Sequence, residues 1–102
     1  MKVIGKQDSN LYGLYDGTKE ILPPQFGFIS EPYPWRGGEI RIFKDEDWRY
    51  GIAFINGGNV ESLWQSDYTT PIMPVNSNGP AWFYCEEAPR LFDYQGNFKE
   101  SR

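Results

Sequence analysis

The sequence predicts an all-β fold, either a compact antiparallel sheet or a partly open barrel, made of three short three-stranded repeat-like units. Three observations carry this expectation. Eleven Gly and eight Pro are scattered along the chain, the pattern of many turns between short strands rather than of long helices. Aromatic residues make up 18% of the chain, and each buries much area for little rotamer entropy, which offsets a modest supply of aliphatics. Finally, the chain matches itself. Laying Tyr12-Gly13-Leu14 on Tyr50-Gly51-Ile52 brings Ile4 onto Ile42, Lys6 onto Lys44 and Asp8 onto Glu46. Length sets the scale: 102 residues suffice for one domain, 1–102, with a single modest core.

The first unit opens with a strand at Val3–Lys6 and continues with Leu11–Asp16, where β-forming residues surround Gly13. Asp16-Gly17 has the chemistry of a tight hairpin turn, because Gly adopts positive φ at no steric cost. Lys19–Leu22 is the returning strand. Pro23-Pro24 is expected to end it, since neither residue can donate a ladder hydrogen bond. Gln25 to Ile29 restarts a strand with Phe26 and Phe28 on one face and Ile29 on the other.

The second unit reads as Ile40–Lys44, Arg49–Ile55 and Asn59–Trp64, turning at Asn56-Gly57-Gly58. Asn59–Trp64 has two readings. The repeat register makes it a strand, whereas Asn59 ahead of Val60, Leu63 and Trp64 has the cap and spacing of a short helix. The third unit is fainter: Ala81–Cys85, Arg90–Tyr94 and Asn97–Glu100, turning at Gln95-Gly96-Asn97. Glu31–Pro34 and Pro71–Pro80 are proline-punctuated connectors between units. Units of this size cannot hide their apolar faces alone, so neighbours must stack to form a shared core.

Within Asn10–Ile29 the order is Tyr12-Gly13-Leu14, an acidic residue with Gly at Asp16-Gly17, then Lys19-Glu20-Ile21-Leu22-Pro23-Pro24, an aromatic and Ile29. This order resembles the WG-type β-repeats of bacterial proteins. Tyr12-Gly13 stands at the family's Trp-Gly or Tyr-Gly pair, and Ile21, Leu22 and Pro23 match its apolar-apolar-proline exit. Asp16-Gly17 stands at its hairpin turn, here shorter than the family's usual one. The second unit matches in part through Tyr50-Gly51, and the third has Pro89-Arg90 where the pair belongs. The resemblance implies a WG-repeat-like interaction scaffold, with no particular ligand attached to it.

Net charge is −4. Phosphate affinity comes mainly from Lys and Arg, so DNA and RNA are poor candidates, and a basic protein is the better one. With no His and one Cys, neither a usual zinc site nor a Ser–His or Cys–His nucleophile can be assembled. No cofactor is expected. A glycosidase needs only two carboxylates, which Glu31, Glu39, Glu86 or Glu87 could supply, but surface carboxylates are usually just solvated. Asp45-Glu46-Asp47 lacks the spacing and central Gly of a calcium loop and reads as a charged hairpin loop. The single Cys85 forbids an internal disulfide, and in an aromatic strand it reads as a buried, inert thiol. Met1–Asp8 has no apolar core of signal length, and the longest apolar run is Ala81–Cys85, which predicts a cytoplasmic chain without export signal or membrane contact.

What remains is surface. In the repeat register the first loop of each unit carries Asp8, then Asp45-Glu46-Asp47, then Glu86-Glu87. Stacked units should place these loops on one side. Trp48 follows one of them directly, and an acidic rim beside an aromatic anchor suits protein binding. Trp82 is expected in the core, and Trp35, in a Pro-Trp-Arg-Gly-Gly connector, is expected to be exposed. The resulting expectation is a non-catalytic domain that binds a basic partner through Asp45, Glu46, Asp47, Trp48, Glu86, Glu87 and Trp35. It could be an immunity protein that neutralises a basic toxin such as a secreted nuclease. The alternatives are a generic interaction module and a carbohydrate-binding module that uses exposed Trp.

Overall fold

The computed structural model describes residues 1–100, and their ordered elements are all strands. They are β1 (Lys2–Gly5), β2 (Tyr12–Asp16), β3 (Lys19–Ile29), β4 (Tyr33–Trp35), β5 (Gly38–Asp45), β6 (Tyr50–Asn56), β7 (Asn59–Gln65), β8 (Ile72–Pro74) and β9 (Phe83–Cys85). Seven form one antiparallel sheet in the order β1-β2-β3-β5-β6-β7, with β4 paired to β5, and β8 and β9 form a second, two-stranded sheet. The all-β expectation holds. The large sheet curls without closing into a barrel.

The first two units share their local design. Asp16 faces Lys19 around the turn Gly17-Thr18, and Asn56 faces Asn59 around Gly57-Gly58. Gly17 has φ +63°, while Gly57 and Gly58 have +62° and +77°, the pair of positive values that a type I′ turn requires. One residue pair beyond each turn the ladder bulges, skipping Ile21 in the first hairpin and Glu61 in the second. The glycines of the Tyr-Gly pairs also have one shared cause. Leu22 pairs with the residue after Gly13, and its carbonyl oxygen would lie 2.8 Å from a Cβ there. Trp64 pairs with the residue after Gly51, and its carbonyl, together with the Phe43 ring, fills the place of that Cβ. Only Gly lets the returning strand approach so closely.

Several sequence expectations need correction. Pro23-Pro24 does not end a strand but lies inside β3. The register between β2 and β3 shifts there, so the missing N–H groups fall where no regular ladder bond is needed. Phe26 and Phe28 do not share a face, because a bulge at Gly27 reverses the alternation. Phe26 and Ile29 are buried together, and Phe28 is 43% exposed. Both connectors contain strands, β4 and β8. Asn59–Trp64 is strand, not helix: the Gly57-Gly58 turn returns the chain along β6, and that ladder outweighs the local period. The expected third unit does not form three strands. Arg90–Tyr94 and Asn97–Glu100 are reduced to single bridges, Phe83 to Phe92 and Phe92 to Phe98, which keep the order of first, middle and last strand. The repeat alignment of Tyr12 with Tyr50 implies equivalent environments, and these differ: Tyr12 is exposed and Tyr50 packs on the core.

Both faces of β5 and β6 are buried, by alternate residues. Phe43, Ala53 and Ile55 point to one face and meet Leu14, Ile21, Leu22, Phe26 and Ile29. Here the curl of the sheet supplies the cover: the tip of the β2–β3 hairpin reaches the β6–β7 tip, where Lys19 Nζ stands 3.5 Å from Asn59 Oδ1. Ile40, Ile42, Ile52 and Phe54 point to the other face and meet Ile72, Phe83, Cys85 and Phe92 of the C-terminal segment. Phe92 is fully buried among Phe83, Trp64 and Tyr68. Fully burying a side chain of this size stabilises by about 1.5–3 kcal/mol, so the C-terminal segment acts as the lid of this second core.

Candidate functional site

The loop joining β5 to β6 is a short hairpin held by its first residue. Asp45 N donates to Arg49 O at 2.9 Å, and Trp48 N donates to Asp45 O at 3.2 Å. The Asp45 carboxylate accepts from Asp47 N at 2.8 Å and from Arg49 N at 3.0 Å. The same loop recurs at Asp93–Asn97, where the Asp93 carboxylate accepts from Gln95 N and Asn97 N, both at 2.9 Å. There the fourth residue is Gly96, with φ +85°. In the first loop that place belongs to Trp48, with φ +65°. A bulky residue in the left-handed region is an outlier, and this one is 68% exposed, so burial does not hold it there. Lys44 Nζ stands 4.3 Å from the centre of the indole, a cation–π contact that orients it.

The acidic residues divide into two sets. Asp45 and Glu87 are committed to the fold. One oxygen of Glu87 accepts from Thr70 N at 2.7 Å and Thr69 N at 2.6 Å, with both threonine hydroxyls beside it, and so ties the loop after β7 to the turn after β9. The backbone N–H groups of Thr70 and then Thr69 hold its carboxyl below the usual carboxylate range. The carboxylates of Glu46, Asp47 and Glu86 are exposed and have no hydrogen-bond or ion-pair partner among the described residues. Of the expected binding carboxylates, these three are available to another molecule.

The pairings bring the Asp8 and Asp45 loops to one end of the large sheet. Phe26 pairs with both Tyr12 and Asp45, so the loop around Asp8 and the Asp45 loop sit on either side of it. Arg49 reaches Asp67 at 3.1 Å, and the Asp67 segment runs on to Thr69 and Thr70 on Glu87. Asp45, Glu46 and Asp47 also form a wall of a groove of about 460 Å³, completed by Pro23 and Gln25 of β3 and by Leu63 and Gln65 of β7.

Trp35 is not the exposed tryptophan. It is half-buried against Tyr94, ring centres 6.1 Å apart, with the Arg36 guanidinium over its ring. β4 folds the connector back along β5, which turns Trp35 onto the second core. Trp82 is likewise half-buried rather than core. Among the carboxylates that a glycosidase could have used, Glu39 is paired with the buried Arg41 at 2.6 Å, and Glu87 is held as above. No group of three or more Cys, Asp or Glu side chains is placed to hold a metal ion among the described residues. Cys85 is buried, 3.1 Å from Thr70 Oγ1.

Sequence reasoning missed Lys44, Asp67 and the β7 residues of the groove. It also missed the equivalence of Asp45–Arg49 and Asp93–Asn97, because the fourth residue, Gly96 in one loop and Trp48 in the other, gives the two no common signal. No family model, curated protein or solved structure matches the chain.

Proposed function

We propose that this chain is a WG-repeat-like, non-catalytic protein-binding domain whose partner is a basic protein. The sharper form of the proposal is an inhibitor role, that of an immunity protein blocking a basic toxin such as a secreted nuclease. One observation carries the reading: Trp48 is held exposed in a glycine conformation beside two carboxylates, Glu46 and Asp47, that have no partner among the described residues. A strained, solvent-facing indole on a hairpin tip does nothing for the core. It suits an anchor that enters a partner's pocket, while the surrounding charges steer the encounter. The net charge of −4 gives the whole domain the matching sign.

The test captures partners from source-cell extract at low and high salt and measures the kinetics of the purified pair. Glu46→Lys with Asp47→Lys should slow association about tenfold or more, and salt should do the same. Trp48→Ala should speed dissociation about thirtyfold, the effect of losing a 2 kcal/mol anchor. Stoichiometric addition should silence the partner's own activity if the inhibitor role holds. Salt-independent kinetics, untouched by the charge reversals, rule out the acidic face. Glycan binding lost in Trp48→Ala but indifferent to the charges would point instead to a carbohydrate module.

A further inference from the structure

We infer that the open seam between β3 and β7 is a strand-addition site, and that an extended Lys- or Arg-bearing segment of the partner pairs its backbone with the outer edge of β7. This rests on the basic-partner reading and specifies how that partner is gripped.

The large sheet curls until β3 and β7 face each other, but they do not pair. β6 is the only strand bonded to β7 among the described residues. Ser66 N donates to Tyr50 O, and alternation along the antiparallel ladder then makes Ile52 and Trp64 a bonded pair. Leu63 and Gln65, opposite Ala53 and Gly51, are therefore in non-bonded pairs, with their N–H and C=O groups pointing away from β6. No backbone partner for these groups occurs among the described residues. The reason the seam stays open lies across the groove. Pro23 of β3 lines it and Pro24 follows, and neither has an N–H to offer.

The side chains agree with the backbone. Leu63 pairs with Ala53, which is fully buried in the first core, so Leu63 points to that same inner face. It is nevertheless 48% exposed, because nothing closes the sheet beyond it. The groove thus offers an apolar floor from Phe26, Phe43 and Leu63, an unpaired strand edge, and a wall with the uncommitted Glu46 and Asp47. Edges are ordinarily blunted by Lys, Pro, charged residues or a bulge; β7 has its bulge and its one charge at Glu61, and the stretch Ser62–Gln65 beside the groove has none of these. An added strand gains affinity from main-chain hydrogen bonds and selectivity from alternate side chains. Here the complementary pattern alternates apolar residues, facing Leu63, with cations that can reach Glu46 and Asp47.

The probe is the capped hexapeptide Lys-Val-Lys-Val-Lys-Val, compared with a copy N-methylated at every backbone nitrogen. The two have the same charge and side chains, but the copy cannot donate backbone hydrogen bonds. Binding is followed by amide chemical shifts of the whole protein. The plain peptide should shift and protect the amides of Leu63 and Gln65, and the methylated copy should bind about tenfold or more weakly. Leu63→Pro, which removes an outward N–H at an edge position, should give the same loss. If that variant does not fold, the peptide pair still decides. Equal binding of the two peptides, lost in the Glu46→Lys, Asp47→Lys protein, overturns strand addition while leaving the basic-partner reading intact. Binding indifferent to those reversals overturns the basic character of the segment. No shift along β7 at millimolar peptide overturns the site.

Discussion

Replacing Trp48 separates what this residue does for a partner from what it does to the fold. At φ +65° an L-residue carries a steric cost of about 1–2 kcal/mol that Gly does not. Trp48→Ala and Trp48→Gly both remove the indole and its contact with Lys44, so the loss of cation–π energy, about 0.5–1 kcal/mol at an exposed site, cancels between them. Ala retains the strain. Gly relieves it but adds about 0.4–1 kcal/mol of unfolded-state entropy. Trp48→Gly should therefore be more stable than Trp48→Ala by about 0.8 kcal/mol at the middle of these ranges and by about 1.6 kcal/mol at most, a mid-range rise in Tm of roughly 4 °C for a domain of this size. The inverse of the usual order at exposed sites is the signature of the left-handed conformation. Calorimetric or fluorescence melting of the two variants measures it, and both should lose partner binding equally. A Trp48→Gly protein that melts at or below Trp48→Ala refutes the strain argument, and with it the inference that Trp48 is retained against the preference of its own loop.

Gly51→Ala should destabilise by about 3 kcal/mol, because its Cβ would fall on the Phe43 ring and the Trp64 carbonyl, and backbone at the latter cannot give way cheaply. Denaturant unfolding checks this, and a loss under about 1 kcal/mol would mean that the strands can part. Glu87→Gln should lower Tm at neutral pH, with the gap closing as the solution is acidified. The folded carboxyl titrates below its ordinary value, so its contribution is present above the unfolded pKa and vanishes as pH falls through the folded one. A gap that stays constant into strong acid would show that the charge of Glu87 is not what holds Thr69 and Thr70.

The sequence by itself determined the hairpin strands of the first unit, the first and middle strands of the second and the glycine turns that follow the middle strands, and it left Asn59–Trp64 between strand and helix. These follow from local chemistry: positive φ, close backbone approach and aromatic β-formers act over a few residues, and a repeated pattern marks them twice. The acidic loop and its Trp48 were legible for the same reason. Tertiary structure decided the rest. Whether Pro23-Pro24 stops a strand or bends one depends on whether a neighbour needs those N–H groups, and only the β2–β3 register answers that. Whether Trp35 or Trp48 faces solvent depends on where β4 folds back along β5. Which carboxylates are available depends on Thr69 and Thr70 reaching Glu87 from eighteen and seventeen residues away. The groove itself has no local signature. It exists because the sheet curls far enough to bring β3 opposite β7, where Pro23 and Pro24 offer no N–H to close the seam.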